Sequence, residues 1–282
     1  LFGNLERLEG GLSGARSMRL TLLVCAALGA GAIVGCGEAA TTTITVTTSA
    51  ASAPQTGGSL TVSTPTTPPP AAATAPPQQT VPRPRIVWDP IPFGPRRKAE
   101  MVAYARRHYG SFMKPTYKLV DPHVIVIHYT ETPTFQSTFN TFAPDTPDPE
   151  LHELPNTCPH FVIDRTGGIH QLVALGIMCR HTVGLNWTAI GIEHVGYSDR
   201  EVLEDRSQMA ASLKLVRWLR CRYHIAIGNV IGHAESLSSP YHREDEPSLH
   251  TQTHSDFEHV DMQVYRHRLA RAGGCPANGA AY

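Results

Sequence analysis

The chain has 282 residues with 24 acidic and 24 basic side chains, so no overall field favours a polyanion, and nucleic acid is excluded as an expected partner. Length overstates the folded part: between Ala39 and Pro82 there is no charged and no aromatic residue, and such a stretch cannot bury enough apolar surface to offset its ordering entropy. About 190 residues remain, enough for one domain with a real core.

In chain order, residue 1 is Leu and the first plausible start is Met18, so 1–17 are read as lying upstream of a true start. Residues 18–36, MRLTLLVCAALGAGAIVGC, are too short and glycine-rich for a comfortable membrane span and read as a secretory signal. Residues 37–84 are rich in Thr, Ser, Ala and Pro and read as a disordered tether. The folded domain is expected over 85–275, with 276–282 as a tail.

Arg83 to Pro95 carries four prolines and is expected as an extended arm on the domain. Arg96 to His108 has strong helix formers, with Met101, Ala105 and His108 on one face. Then comes HVIVIHYT, His123 to Thr130: a short β-branched run that predicts a strand buried on both faces. His128 stands as that run ends, where an imidazole points into whatever cleft opens there. Thr130 to Asn156 is long, polar and proline-rich, a loop of the kind that lines a substrate groove.

HFVID and IHQLV around Arg165 to Gly168 predict a hairpin. Ala189 to Val195 predicts a strand on which Glu193 sits among apolar neighbours, as a carboxylate that is either raised in pKa or held by a cation. Glu204 to His224 predicts one amphipathic helix, Asn229 to Ile231 a short strand followed by His233, and Ser255 to Ala272 a closing helix. Strands alternating with helices give an α/β class: one domain, a mixed central sheet flanked by helices.

Cysteine usage fits export. With Cys25 and Cys36 in the leader, Cys158, Cys179, Cys221 and Cys275 remain, an even number that predicts two disulfides in an exported domain. Three pairings are open. One joins Cys158 to Cys179 across the hairpin region and Cys221 to Cys275 at the carboxyl tail.

Four pieces in order, IHYTET, HFVIDRTGGIHQLV, RHTVGLNWTAIGIEHVG and VIGHAE, resemble the zinc amidase and peptidoglycan recognition protein superfamily over roughly residues 86–265. PIPFGPRRKAEMVAYARRHYG also resembles an actinobacterial branch of amidases. The resemblance implies hydrolysis of the amide between N-acetylmuramic acid and L-alanine in peptidoglycan, with zinc as cofactor. It implies His128 and His233 as the first two zinc ligands. Its third-ligand frame falls on Thr253-His254-Ser255-Asp256, where His254 takes the ligand's place. Residues 234–253 make this gap about twice the family's usual one, and His250, Asp256, Asp245 and His242 keep the assignment open.

Glu193 matches the family's general base, or else a carboxylate that orients a ligand histidine. His181, Asn186 and Trp187 resemble the groove wall. Relatives carry a Tyr where this chain has Pro159, and a Lys two residues before the third ligand, where it has Gln252. This leaves His181 and Arg243 as candidate donors to the oxyanion.

Ile33-Val34-Gly35-Cys36 resembles the lipobox of bacterial lipoprotein signals, which implies a lipid on Cys36 and a protein at the cell envelope, anchored to a membrane. The partners so implied are peptidoglycan or its fragments and the membrane, with no protein partner. Two further readings stand: a module that binds peptidoglycan without cutting it, and an exported zinc hydrolase of another peptidoglycan amide.

Overall fold

A computed structural model describes residues 80–276. Residues 1–79 and 277–282 lie outside the described residues, and with them the expected upstream stretch 1–17, the expected signal 18–36 with Cys36, and most of the expected tether and tail.

The run after His123 forms β2, Val124–Tyr129, with its first five side chains buried. Around it a six-stranded mixed sheet assembles in the order β1-β4-β3-β5-β2-β6. Here β1 is Val87–Trp88, β3 Phe161–Ile163, β4 Ile169–Gln171, β5 Ala189–His194 and β6 Val230–Gly232. β2 runs parallel to both β5 and β6, β3 runs parallel to β5, and β3 and β4 form the expected antiparallel hairpin. The arm before the first helix supplies β1, which pairs in parallel with β4 at the sheet edge.

Register does most of the positioning. His128 lies opposite Glu193 on β5, and Ile127 lies opposite Gly232, the residue before His233. Three chemistry-bearing side chains therefore meet at the carboxyl ends of three adjacent parallel strands, where open α/β sheets bind their ligands.

Five α-helices cover the sheet: α1 Pro95–Tyr109, α2 Phe135–Phe142, α3 Asp199–Glu204, α4 Arg206–Tyr223 and α5 His259–Arg271. Three depart from the sequence expectation. The stretch 130–156 contains α2, because Thr134 and Ser137 cap its first turn reciprocally and Phe135, Phe139 and Phe142 pack on Val162, Leu172 and Val195.

The helix expected over 204–224 is α4, and what was not expected is the separate α3 that precedes it. Asp205 has an extended backbone and its carboxylate accepts from the amides of Ser207 and Gln208, capping α4. Finally, α5 starts at His259 because Asp199 takes the amides of Phe257 and Glu258 at 2.7 and 2.9 Å, holding 256–258 as a loop.

α4 and α5 bury Leu215, Val216, Leu219, Met262 and Tyr265 against Ile125, Ile127, Ile190 and Ile192 of the sheet. Disulfides join Cys158 to Cys179 and Cys221 to Cys275, the pairing proposed from the sequence.

Two fully buried histidines tie this core to neutral pH. His160 donates from Nε2 to the carbonyl of Ile177 (3.0 Å) and accepts at Nδ1 from the amide of Gly191 (3.1 Å). His194 donates from Nδ1 to the carbonyl of His128 (2.9 Å) and accepts at Nε2 from Ser212, whose hydroxyl accepts in turn from Tyr265. Burial pushes each imidazole down to about 4. Because the unfolded imidazole titrates near 6.5, the unfolded chain binds more protons between pH 6.5 and 4, and stability falls as pH drops through that window. At pH 5 the loss is about 2 kcal/mol per histidine relative to pH 7. Denaturant midpoints of the chelator-treated protein should fall accordingly, and a midpoint that stays flat from pH 7 to 5 would contradict the assignment.

Candidate active site

The side chains of His128, His233 and Asp256, all buried, form one close group whose ligand atoms lie within 4.8 Å of one another. His128 Nδ1 is 2.9 Å from Asp256 Oδ2, and His233 Nδ1 is 3.3 Å from Asp256 Oδ1. The histidines are the two expected at strand ends. The third member is Asp256, and His254, expected in the third ligand's place, is not in the group.

Backbone packing decides the point. The amide of Ala234 donates to the carbonyl of Asp256 at 3.0 Å, which brings residue 256 beside His233. Phe257 then lies directly over Gly232, where a β-carbon would sit 1.8 Å from the Phe257 carbonyl oxygen. A glycine is therefore needed just before the second histidine for the third donor to arrive.

Two residues earlier the chain has already turned outward. His254 is 45% exposed, and its Nε2 contacts Glu150 at 2.9 Å, while its ring stacks on His233 with centroids 4.7 Å apart. Asp245, His242 and His250 lie outside the group as well. Asp245 accepts from Ser111, His242 packs over Gly184, and His250 ends a short 3-10 turn.

The group fits a divalent metal. Two imidazoles and one carboxylate make a donor set of catalytic zinc sites, with a fourth position left open. Tetrahedral ligands at zinc bond lengths stand about 3.3 Å apart, close to the two separations above. Burial lowers the His128 imidazole, but its hydrogen bond to Asp256 and that carboxylate's charge outweigh burial and leave it raised. Burial raises Asp256, but both histidines outweigh it and hold the carboxyl well below the usual range. Burial pushes His233 down to about 4, so it stays neutral, as a metal ligand must be.

Glu193 is 8% exposed, stands beside His128 and is not a member of the close group. Its Oε2 is buried without a hydrogen-bond partner. Burial pushes the carboxyl up to about 7, against the pull of His128. A carboxylate near neutrality with a free oxygen is equipped to take and return a proton.

Of the residues expected on the groove wall, only His181 is on the cleft. Its Nδ1 lies 3.2 Å from His128 Nε2, and its ring fills the space above Gly191, where a β-carbon would come 2.6 Å from Cγ. Asn186 is buried and works as a strut: its Oδ1 accepts from the amides of His181 and Thr182, and its Nδ2 donates to Tyr104. Trp187 packs edge-on against Phe112. Arg243 is exposed and donates to the carbonyls of Pro240 and His242.

The cleft over the group has a volume of about 260 Å³, below the roughly 300–1,000 Å³ of sites that engulf a small molecule, so it suits one segment of a longer ligand. Phe142, Asp148, Pro149 and Glu150 line it, as expected of the stretch 130–156. Arg180 and Glu131 also line it. Sequence reasoning passed over both: Arg180 sits in a stretch read for its histidine, and Glu131 directly follows one.

Residues 118–249 match the family described as N-acetylmuramoyl-L-alanine amidase, which gives this domain its enzyme class. The matched stretch holds His128, Glu193 and His233 and ends before Asp256. No curated protein is significantly similar to the chain. Among solved structures, the endolysin amidase LysCS from Clostridium intestinale is 21% identical over 51% of this chain and 79% of its own, with a TM-score of 0.35. A mutant endolysin from Bacillus subtilis is 18% identical over 66% of this chain and 98% of its own, TM-score 0.41. The amidase AmiD from E. coli, in complex with the substrate anhydro-N-acetylmuramic acid-L-Ala-D-γ-Glu-L-Lys, is 22% identical over 55% and 59%, TM-score 0.37.

Proposed function

We propose that the domain hydrolyses the amide joining N-acetylmuramic acid to L-alanine in peptidoglycan or its fragments, with zinc held by His128, His233 and Asp256. The observation that carries this reading is the close His-His-Asp group beside the unpaired Oε2 of Glu193. Zinc bound there supplies Lewis-acid polarisation of a carbonyl and acidification of water. Glu193 accepts the proton of the attacking water at Oε2 and then returns it to the leaving amine of L-alanine. His181, fixed by Asn186 and by the space above Gly191, backs the imidazole of His128 from the far side. With Asp256 as third donor, the place where relatives carry a Lys two residues earlier falls on His254 instead of Gln252, and we assign His254 the role of second polar donor at the cleft.

Mass spectrometry of digested cell wall tests the reading. Stem peptides with a free L-alanine amine, together with intact muramic acid, are expected. Cleavage at another amide favours a hydrolase of that bond, and binding without cleavage favours a recognition module.

We further propose that the protein is exported and anchored at the cell envelope through a lipid on Cys36, supported by the Ile33-Val34-Gly35-Cys36 frame. A Cys36→Ala protein should move from the membrane fraction to the soluble one and keep its rate on soluble fragments. A wild type already soluble, beginning elsewhere than residue 36, contradicts the anchor.

A further inference from the structure

The cleft is lopsided in charge. Glu131, Asp148, Glu150, Glu193 and Asp256 line it, against one guanidinium, that of Arg180. Arg180 is not free to meet a ligand: it is buried, one terminal nitrogen donates to the carbonyls of Glu153 and Pro155, and the other donates to Asp148 at 2.9 Å and Glu153 at 3.3 Å. Its plane also lies over the ring of Tyr104. Glu150 is engaged by His254 and Gln252, while Asp256 and Glu193 face the metal position on the floor.

That leaves Glu131. It follows β2 directly, three residues after His128, and its backbone is left-handed at φ 52°, a conformation unfavourable for a side chain of this kind. The amide of Glu131 donating to the carbonyl of Gly196 at 2.9 Å holds it there. Its carboxylate is exposed at the cleft mouth and makes no hydrogen bond or ion pair among the described residues. It is near enough for its charge to act on both Glu193 and Tyr129.

At the mouth of the cleft a ligand carboxylate meets the charge of Glu131 and, among the lining residues, no arginine or lysine free to pair with it, whereas a carboxamide can donate its N–H groups to Glu131. Both the repulsion and the attraction discriminate in the same direction. In a muramoyl peptide the group at stake lies one residue beyond the scissile bond, on the γ-linked glutamyl residue that follows L-alanine. A lysine ammonium one residue further on is compatible with the same rim.

We infer that the site selects stem peptides in which the α-carboxylate of the second residue is replaced by a carboxamide, and that Glu131 is the residue that makes the distinction. This rests on the amidase reading above. It concerns which stem is cut, where that reading concerns which bond.

The test gives the full chain N-acetylmuramoyl-L-Ala-D-isoglutaminyl-L-Lys and its D-isoglutamyl counterpart in parallel. The expected kcat/KM is about tenfold higher for the carboxamide, the scale of one uncompensated charge in a partly solvated cleft. Glu131→Gln should shrink that ratio to about threefold or less. Glu131→Asn should do the same, and asparagine accepts the left-handed backbone. Calorimetric binding of both peptides to the Glu193→Gln protein should show the same order of affinity. Equal rates, or a preference for the carboxylate, overturn the inference. A wild-type ratio that neither variant moves overturns the role of Glu131. Failure to cut either peptide overturns the amidase reading and the selectivity with it.

Discussion

Asp256→Ala is expected to strip zinc from the domain and abolish hydrolysis, whereas His254→Ala is expected to keep zinc and lose only part of the rate. The contrast follows from geometry: Asp256 lies within 2.9 and 3.3 Å of the two histidine Nδ1 atoms, while His254 turns its Nε2 to Glu150. Deleting one of three protein donors should weaken zinc binding by more than the roughly 10- to 100-fold typical of groups that only support a ligand. It also leaves the buried Nδ1 atoms of His128 and His233 without their partner, so the variant should be compared with Asp256→Asn, which keeps the shape and one acceptor oxygen. Metal content per folded protein, measured by elemental analysis after dialysis, decides the matter. Zinc retained in Asp256→Ala and lost in His254→Ala would restore the sequence-based ligand set and sink the structural one.

Glu193→Gln is expected to retain zinc while turnover falls by roughly 10²-fold or more, about 3 kcal/mol of transition-state stabilisation. Glutamine keeps the size of the side chain in a pocket that leaves 8% of the residue exposed, but it cannot accept a proton. The competing role, orientation of a ligand histidine, has little geometric support: the Nδ1 of His128 is taken by Asp256, and its Nε2 faces His181 and Thr182. A carboxylate acting only as such a support would show zinc affinity lowered by about 10- to 100-fold and activity recovered in excess zinc. Bound metal and rate measured on one preparation separate the two, and a fully active, metal-replete variant would exclude both.

How much of this was legible in the chain depends on whether a feature is local. The β2 run, its terminal His128, the β3–β4 hairpin and the second histidine after β6 are written in short stretches of residue type and alternation, and the structure keeps each of them. Glu193 was legible for the same reason: an acid inside an apolar strand has few explanations. The disulfide pairing was within reach because four cysteines leave only three choices. The helix at 135–142 went unread because its signal is a capping pair and three phenylalanines, set among polar and proline residues that look like a loop.

The third member of the close group could not be settled from residue order, which left Asp256 as one alternative to His254. Along the chain His254 and Asp256 are equally good donors two positions apart. What chooses between them is the packing of Phe257 over Gly232 and the backbone bond from Ala234 to Asp256, contacts between segments far apart in sequence. The same holds for Asn186, whose polar atoms are consumed by two amides and Tyr104, and for Arg180, neutralised by a loop that precedes it by some thirty residues. By itself, then, the sequence determined β2 to β6, the two strand-end histidines and the acid beside them, because strand pattern and residue chemistry act over a few neighbours. Only the tertiary structure decided which donor completes the group and which charges remain free in the cleft, because those depend on close approach and on partners that the chain order does not bring together.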